Sequence, residues 1–265
     1  MGILNLTPDS FSDGGRFSST SEAVAAAVDM VGDGAEVLDV GAVSTRPGAP
    51  SVSSDEEWAR LEPALRALRE AVEVPLSLDT TSSVVLERAL GIGVDLLNDV
   101  SALGEDPGLA EVARDAELPV VLMHRRGTPE DMQVAPHYKD APREVLGELM
   151  ASARRAIEAG IPAERLLLDP GIGFGKRLED NVALLGALGH FTGSGFRTVL
   201  GCSRKAMLGS LTGQSVEHRE HATTATTVMA SLAGVDFVRV HDCRAAADSL
   251  KIVEAVSVAS ESSRR

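Results

Sequence analysis

Eight short apolar runs recur along the chain, and longer segments with helical periodicity separate them. The runs are only three to five residues long and rich in leucine and valine, as buried parallel strands are. They span residues 2–6, 37–40, 76–79, 94–98, 120–124, 166–169, 199–201 and 237–241. This repetition constrains the fold more than any single motif does, because it predicts eight strands of a parallel sheet.

The segments between the runs place apolar residues on one helical face. Trp58, Leu61, Leu65 and Leu68, for example, lie three or four positions apart. Helices are expected at residues 21–31, 55–72, 82–90, 107–116, 142–159, 178–188, 219–233 and 244–258. Strands that alternate with helices favour a parallel sheet with the helices packed outside it.

The chain length then favours one α/β architecture over another. A chain of 265 residues fits an eight-stranded (β/α)8, or TIM, barrel, and a doubly wound open sheet is the alternative. No linker divides the chain, so residues 1–258 are predicted to form a single domain. The serine-rich segment 259–265 is expected to be a disordered tail.

The charge balance excludes several classes of partner. The formal net charge is −14 and the pI is about 4.9, so no nucleic-acid or anionic-membrane surface is expected. The chain shows no signal-peptide pattern and no apolar run long enough to span a bilayer. Cys202 and Cys243 lie far apart and lack metal-ligand spacing, which is typical of reduced thiols in a cytoplasmic protein.

Polar residues end most of the predicted strands. A single aspartate in this position usually caps the next helix. A set of polar residues, however, is typical of an active site, because barrel enzymes build theirs at the carboxyl ends of the strands. The set comprises Asn5, Asp79, Asn98, His124, Asp169 and His241.

Cationic residues show the same bias toward strand ends. Arg46 follows the second run, Arg204 and Lys205 follow the seventh, and Arg239 lies in the eighth beside His241. Barrels often bind phosphate with the loops after strands seven and eight, and arginine suits bidentate capture of phosphate oxygens. In so acidic a chain the cluster predicts an anionic substrate; ordinary surface salt bridges are the alternative.

A glycine-rich segment, DPGIGFGK, follows the sixth strand at residues 169–176. It matches neither the Walker A loop nor the dinucleotide fingerprint. We expect Asp169 to accept two parallel N–H bonds from a heterocycle edge, while the glycines allow close backbone approach. Phe174 supplies an apolar wall or simply packs. No role follows from the sequence for Lys176.

Taken together, these motifs resemble the dihydropteroate synthase family, and they occur in the family's order across nearly the whole chain. They read MGILNLTPDSFSDGG (1–15), STRPGA (44–49), DT (79–80), NDV (98–100), LMH (122–124), DPGIGFGK (169–176), SRK (203–205) and VRVHD (238–242). The resemblance implies a folate-pathway transferase. It would condense 6-hydroxymethyl-7,8-dihydropterin pyrophosphate with para-aminobenzoate, with Mg²⁺ as cofactor, in a homodimer that sulfonamides target.

The resemblance also implies roles for individual residues. The pterin would contact Asp79, Asn98, Met123, Asp169 and Lys205. The pyrophosphate would contact Asn5, Arg46, Arg239 and His241, with Asn5 also placing Mg²⁺. The para-aminobenzoate pocket would comprise Phe11, Thr45, Pro47, Phe174 and Lys205. The catalytic set would be Asp13, Arg46, Lys205, Arg239 and His241.

Departures from the family pattern keep two other functions open. Val43 stands where the family usually has glutamate, Ala206 where it often has serine, and Ala222 where glycine is commoner. The chain also starts at the first strand, so we expect that the usual N-terminal hairpin is lacking or that the start is truncated. The alternatives are a catalytically silent pterin-binding protein and a methyltetrahydrofolate-type methyltransferase. The STRP and SRK motifs argue against the methyltransferase.

Overall fold

The computed structural model describes residues 1–6, 20–44, 48–49 and 51–262. Eight strands form a single parallel sheet in sequence order, as predicted. They are β1 (Gly2–Asn5), β2 (Leu38–Gly41), β3 (Leu76–Asp79), β4 (Leu96–Asp99), β5 (Val120–Met123), β6 (Leu166–Asp169), β7 (Arg197–Gly201) and β8 (Phe237–Arg239).

Helices follow the strands and pack around the outside of the sheet. They are α1 (Thr20–Gly32), α2 (Ser54–Ala71), α3 (Ser83–Leu90), α4 (Leu109–Asp115), α5 (Ala141–Glu158), α6 (Leu178–Gly186), α7 (Leu188–Thr192), α8 (Ala206–Thr212), α9 (Glu220–Leu232) and α10 (Cys243–Ser262). None of the helices in the described part of the chain is both long enough and apolar enough to cross a membrane.

Backbone hydrogen bonds between the first and last strands close the sheet into a barrel. The Ile3 amide donates to Val240 O at 2.9 Å, and the Val240 amide donates to Met1 O at 3.0 Å. The N-terminal ammonium donates to Val238 O at 2.9 Å. This closure confirms the (β/α)8 barrel and rules out the doubly wound open sheet, whose edges stay unpaired.

The strand alternation separates a helix-facing core from a barrel interior. Leu76 and Leu78 of β3 are fully buried against the helices, whereas Ser77 and Asp79 point inward. Val121, Leu167 and Val199 form a second, smaller apolar cluster at the base of the interior. Between this cluster and the carboxyl ends of the strands, the inward-facing positions are polar residues or glycines. A polar site can therefore form at the carboxyl ends of the strands.

Apart from shifts of one or two residues at helix ends, the helices differ from the prediction in three places. The expected helix at 178–188 ends at Gly186, and a short helix, α7, follows it with Phe191 buried. Helix α8 was missed because only seven residues form it and they include Gly209. Helix α10 continues to Ser262 instead of giving way to a tail at residue 259, since no glycine or proline follows Gly234 to end it.

Candidate active site

Arg239 links three strands at the mouth of the barrel. From β8 its Nη2 donates to Asp79 Oδ2 on β3 at 2.8 Å, and its Nε donates to Asp39 on β2. Asp39 is fully buried and also accepts bonds from Ser77 Oγ at 2.5 Å and Asn98 Nδ2 at 3.1 Å. One guanidinium therefore lies between two carboxylates inside the barrel.

Asp39 was not among the candidates from the sequence. Its signal was present, since an aspartate interrupts the apolar run 37–40 of a predicted buried strand. A buried carboxylate needs a charged or hydrogen-bonding partner. That partner is Arg239, which lies 200 positions further along the chain.

Burial changes the protonation of the carboxyl groups at the mouth. It raises the pKa of Asp79 to about 7, an effect that Arg239 opposes and Asp39 reinforces. It also raises the pKa of Asp169, an effect that Lys205 opposes. The Asp79 carboxyl group can therefore gain or lose a proton near neutral pH, and both carboxyl groups suit hydrogen bonding to the N–H groups of a ligand.

Lys205 lies beside Asp169 on the opposite side of the mouth. A Cβ atom at Gly201 would lie 3.6 Å from Asp169 Oδ2 and 3.8 Å from Lys205 Nζ, so the bare glycine borders both groups. The ammonium donates to Ile172 O and lies 4.6 Å from the centroid of the Phe174 ring, a cation–π distance. Burial lowers the pKa of Lys205 to about 8.

The Lys176 ammonium is buried among backbone carbonyls, and the residue also borders a cavity beside Phe174 and Lys205. Its Nζ lies 2.8 Å from Gly171 O, 2.9 Å from Phe174 O and 3.0 Å from His124 Nδ1, and the residue is only 4% exposed. These contacts exclude a substrate phosphate from its ammonium. Lys176 instead binds the glycine-rich loop of residues 170–175, which the sequence did not indicate.

Two of the polar strand-end residues do not face the mouth. His124 follows the inward-facing Met123 and so points outward, where its Nε2 lies 2.9 Å from Glu148 Oε2 of α5. Arg204 pairs with Glu220 of α9 at 3.2 Å. The prediction that these two side chains converge on the site is therefore wrong, and for Arg204 the salt-bridge alternative is correct.

The other candidates from β1, β5 and β8 lie at the mouth. Asn5 ends β1 in register with Gly41, and Met123 ends β5 in register with Asp169. His241 follows β8, and its Nδ1 lies 2.9 Å from Ser203 Oγ. The structure thus brings Asn5, Asp79, Asn98, Met123, Asp169, Lys205, Arg239 and His241 to the same end of the barrel. Phe11, Asp13, Thr45, Arg46 and Pro47 lie outside the described residues.

Two cavities flank this group of residues. One of about 410 Å³ is lined by Phe174, Lys205, Ala206 and neighbouring residues of α6 and α8. The other, of about 360 Å³, lies next to Asp79 and is lined in part by Glu57. Both are large enough to accept part of a small-molecule substrate.

Glu57 of α2 is a further residue that the sequence did not single out. It is 5% exposed, and its Oε1 has no hydrogen-bond partner in the described part of the chain. Burial raises the pKa of Glu57, while a hydrogen bond from Thr80 opposes the shift. Its signal in the sequence is the helical spacing, since Glu57 lies four positions before Leu61 on the buried face, whereas Asp55 and Glu56 are exposed.

The residues at the mouth provide few metal ligands. Within the described residues no group of three or more histidine, cysteine, aspartate or glutamate side chains could hold a metal ion. Mg²⁺ is commonly bound by only one or two protein oxygens together with substrate phosphates. The side chain of Asn5 therefore fits a magnesium ion that arrives with a diphosphate, and does not fit a cage made by the protein alone.

The fold and this group of residues define a class: a TIM-barrel enzyme with buried carboxyl groups and cations at the carboxyl ends of its strands. Comparison with known proteins gives the family. The model of the pterin binding enzyme family matches residues 1–241. A dihydropteroate synthase of Neisseria meningitidis serogroup C is 44% identical, over 97% of this chain and 92% of the relative.

Solved structures agree with this relationship. A Yersinia pestis dihydropteroate synthase in a sulfonamide drug complex superposes with a TM-score of 0.93 at 40% identity, covering 97% of this chain and 94% of that one. A Xanthomonas albilineans dihydropteroate synthase with 4-aminobenzoic acid has a TM-score of 0.90 at 42% identity, over 97% and 92%. The chain belongs to the pterin binding enzymes and, among them, to the dihydropteroate synthases.

Proposed function

We propose that this protein condenses 6-hydroxymethyl-7,8-dihydropterin pyrophosphate with para-aminobenzoate, giving 7,8-dihydropteroate and pyrophosphate for folate biosynthesis. The observation that carries the proposal is the position of Arg239 between Asp39 and Asp79, with Asp169 and Lys205 close by. Carboxylates for a heterocycle and cations for its diphosphate thereby meet at one mouth. The family relationship supplies the identity of both substrates.

The pterin binds between the two carboxylate groups. Its N–H donors replace the Arg239 contact at Asp79 and approach Asp169 from the other side, while Asn98 contributes its amide oxygen. The buried position of these residues favours this exchange, because hydrogen bonds are stronger in a site from which water is excluded. Met123, in register with Asp169, packs against the ring.

The Arg239 nitrogen that is freed from Asp79 then faces the diphosphate. It retains its bond to Asp39, so the guanidinium stays fixed while one side faces the substrate. His241, fixed by Ser203, and Asn5 complete the diphosphate contacts. Arg46 would join them by its position in the STRP motif. Mg²⁺ held by Asn5 and the diphosphate would neutralise charge on the leaving group.

The reaction proceeds by loss of pyrophosphate followed by attack of the amine. The bond between the pterin methylene and the diphosphate oxygen breaks, and the oxygen keeps the electron pair. The resulting cationic methylene is stabilised by the nearby carboxylates of Asp79 and Asp169. The neutral amine nitrogen of para-aminobenzoate forms the new C–N bond and releases a proton to solvent, so no strong general base is needed.

The second substrate occupies the cavity beside Phe174 and Lys205. The Phe174 ring provides an apolar wall and the Lys205 ammonium attracts the substrate. Ala206 lines the same cavity and lacks the hydroxyl that many family members place there. A sulfonamide that imitates para-aminobenzoate would occupy this cavity too, without that hydroxyl contact.

A pyrophosphate-release assay with purified protein, both substrates and Mg²⁺ tests the reaction. We expect release that depends on para-aminobenzoate. Tight pterin binding without release would instead indicate a silent pterin-binding protein. Methyl transfer from methyltetrahydrofolate to a corrinoid, without pyrophosphate release, would indicate the methyltransferase.

A homodimer in the cytoplasm completes the proposal. Helices α8 to α10 expose large apolar side chains, which in a soluble enzyme suggest a covered surface. These side chains are Leu211, Met229, Leu232, Ile252 and Val256. The two buried free cysteines suit a reducing compartment such as the cytoplasm.

The dimer is tested by size-exclusion chromatography with light scattering. The wild type should give a dimer mass, which Leu232→Lys should reduce; a monomeric wild-type protein would contradict the dimer.

A further inference from the structure

The Lys176 ammonium lies in an unusual position for a lysine, because carbonyl oxygens surround it. It lies within hydrogen-bond distance of Gly171 O, Phe174 O and His124 O, at 2.8, 2.9 and 3.2 Å, and of His124 Nδ1 at 3.0 Å. Burying an ammonium is costly unless such acceptors replace its water. This side chain is therefore held in one place by contacts on several sides.

Two of these carbonyls lie on either side of the segment that faces the active site. Gly171 O and Phe174 O bracket Ile172 and Gly173, and the Phe174 amide donates back to Gly171 O at 3.1 Å. The carbonyl of Ile172 points the other way and accepts a bond from Lys205. Two ammonium groups thus bind the same loop from opposite sides, Lys176 from within the protein and Lys205 from the substrate side.

The loop is also pressed against the end of β5. A Cβ atom at Gly171 would lie only 1.9 Å from His124 O, and one at Gly175 only 2.5 Å from Arg126 O. At such close approach, the carbonyl oxygens of His124, Gly171 and Phe174 converge on one point. Burial lowers the pKa of Lys176 to about 7. The N–H donors of its side chain offset the mutual repulsion of these carbonyls, so Lys176 fixes where the loop lies.

The support for Lys176 extends to helix α5. Because Lys176 occupies Nδ1 of His124, the imidazole carries its proton on Nε2 and donates it to Glu148 Oε2 at 2.9 Å. Burial lowers the pKa of His124 to about 4, in accord with a neutral ring. Glu148 in turn accepts a bond from Arg126 Nε at 3.1 Å. The position of the ammonium is thereby fixed to the scaffold and not only to the loop.

We propose that Lys176 is a positioning residue, whose buried ammonium fixes the loop of residues 170–175 so that Ile172 O and the Phe174 ring hold Lys205 at the para-aminobenzoate side of the site. The inference rests on the proposed condensation reaction and adds a specific element to it. The Lys176 ammonium is engaged by the loop carbonyls, and it acts on the second substrate through Lys205 and Phe174. Its loss is therefore felt by the second substrate more than by the pterin, because Asp79 and Asn98 hold the pterin from β3 and β4, away from this loop.

Steady-state kinetics of Lys176→Met test the proposal, since methionine matches the length of lysine without its charge. We expect the KM for para-aminobenzoate to rise about tenfold or more, because small misplacements of substrate-positioning groups are costly. The KM for the pterin pyrophosphate should change by less than about threefold. Equal changes in both KM values, or none, would overturn the proposal.

Tyr138→Phe is the matched control. It removes the 3.0 Å bond from Tyr138 Oη to Gly175 O in the same loop, but keeps the aromatic ring and the contacts of Lys176. Its KM for para-aminobenzoate should stay within about twofold of the wild type. If Lys176→Met does not fold, Lys176→Gln, which keeps an N–H donor, is measured by the same criteria. A wild-type protein without pyrophosphate release would refute the reaction and this inference with it, whereas an active wild type with equal KM changes in Lys176→Met would refute the inference alone.

Discussion

Replacing Arg239 with alanine should damage both catalysis and stability, because the side chain serves two buried carboxylates. Its nitrogens contact Asp79 Oδ2 at 2.8 Å and Asp39, which is fully buried. Unit charges about 4 Å apart interact by about 4 kcal/mol at an effective dielectric constant of about 20. Removing one partner of a buried pair costs about 3–5 kcal/mol, and we expect a loss of that size in the free energy of unfolding.

The loss of stability should depend on pH. The pKa of Asp79 is raised to about 7 by burial although Arg239 opposes the shift, so the variant raises it further. When the folded-state pKa of a carboxyl group is raised, the free energy of unfolding falls as pH rises toward that pKa. The variant, with the higher pKa, goes on losing stability at pH values where the wild type no longer does. Urea unfolding should therefore show a larger destabilisation at pH 7.5 than at pH 5.5.

Catalysis is the second measurement for this variant. Removing an electrostatic contact to the leaving group should reduce kcat/KM by about 10²- to 10³-fold in the pyrophosphate-release assay. Arg239→Lys keeps the charge but cannot contact Asp39 and Asp79 together. It should therefore lose less unfolding free energy and less kcat/KM than Arg239→Ala. The reasoning is refuted if Arg239→Ala loses less than about threefold in kcat/KM, or if its destabilisation is the same at both pH values.

The remaining predictions concern other parts of the site. Lys205→Ala should lower kcat/KM by about 10²-fold in the same assay, and a loss below about threefold would contradict its assignment to the site. Glu57→Gln should raise the unfolding free energy by about 1 kcal/mol, because the wild-type residue buries a carboxylate oxygen without a partner. Since burial raises the pKa of Glu57, this gain should be larger at pH 8 than at pH 5, and a stability loss at pH 8 would contradict it. Chelation with EDTA should abolish pyrophosphate release and added Mg²⁺ should restore it; unchanged release would exclude the metal.

Several features of the fold and site could be predicted because they depend on local order in the chain. Apolar runs located all eight strands, and the position of Asp79, Asn98 and Asp169 at strand ends located the mouth. Strict alternation along β5 would also have placed Met123 inward and His124 outward, but we expected both in the site. The error arose from treating every polar residue after a strand as equivalent.

Other features depend on partners that are distant in sequence. Arg204 resembled the substrate-binding cations until the structure paired it with Glu220 of α9. Asp39 was not a candidate from the sequence, and its place in the site follows from the contact that Arg239 makes with it across the barrel. Each assignment depends on which charges meet after folding, and spacing in the chain does not supply that information.

The sequence by itself determined the class of fold, the end of the barrel that carries the site and the family of the protein. Periodicity and short motifs carry that information because they follow from hydrophobic burial and from the backbone needs of strand ends. Only the tertiary structure decided the barrel closure through Ile3 and Val240, the central place of Asp39 and the inward course of Lys176. The reason is physical: inside the protein a buried charge must find partners, and long-range packing chooses them.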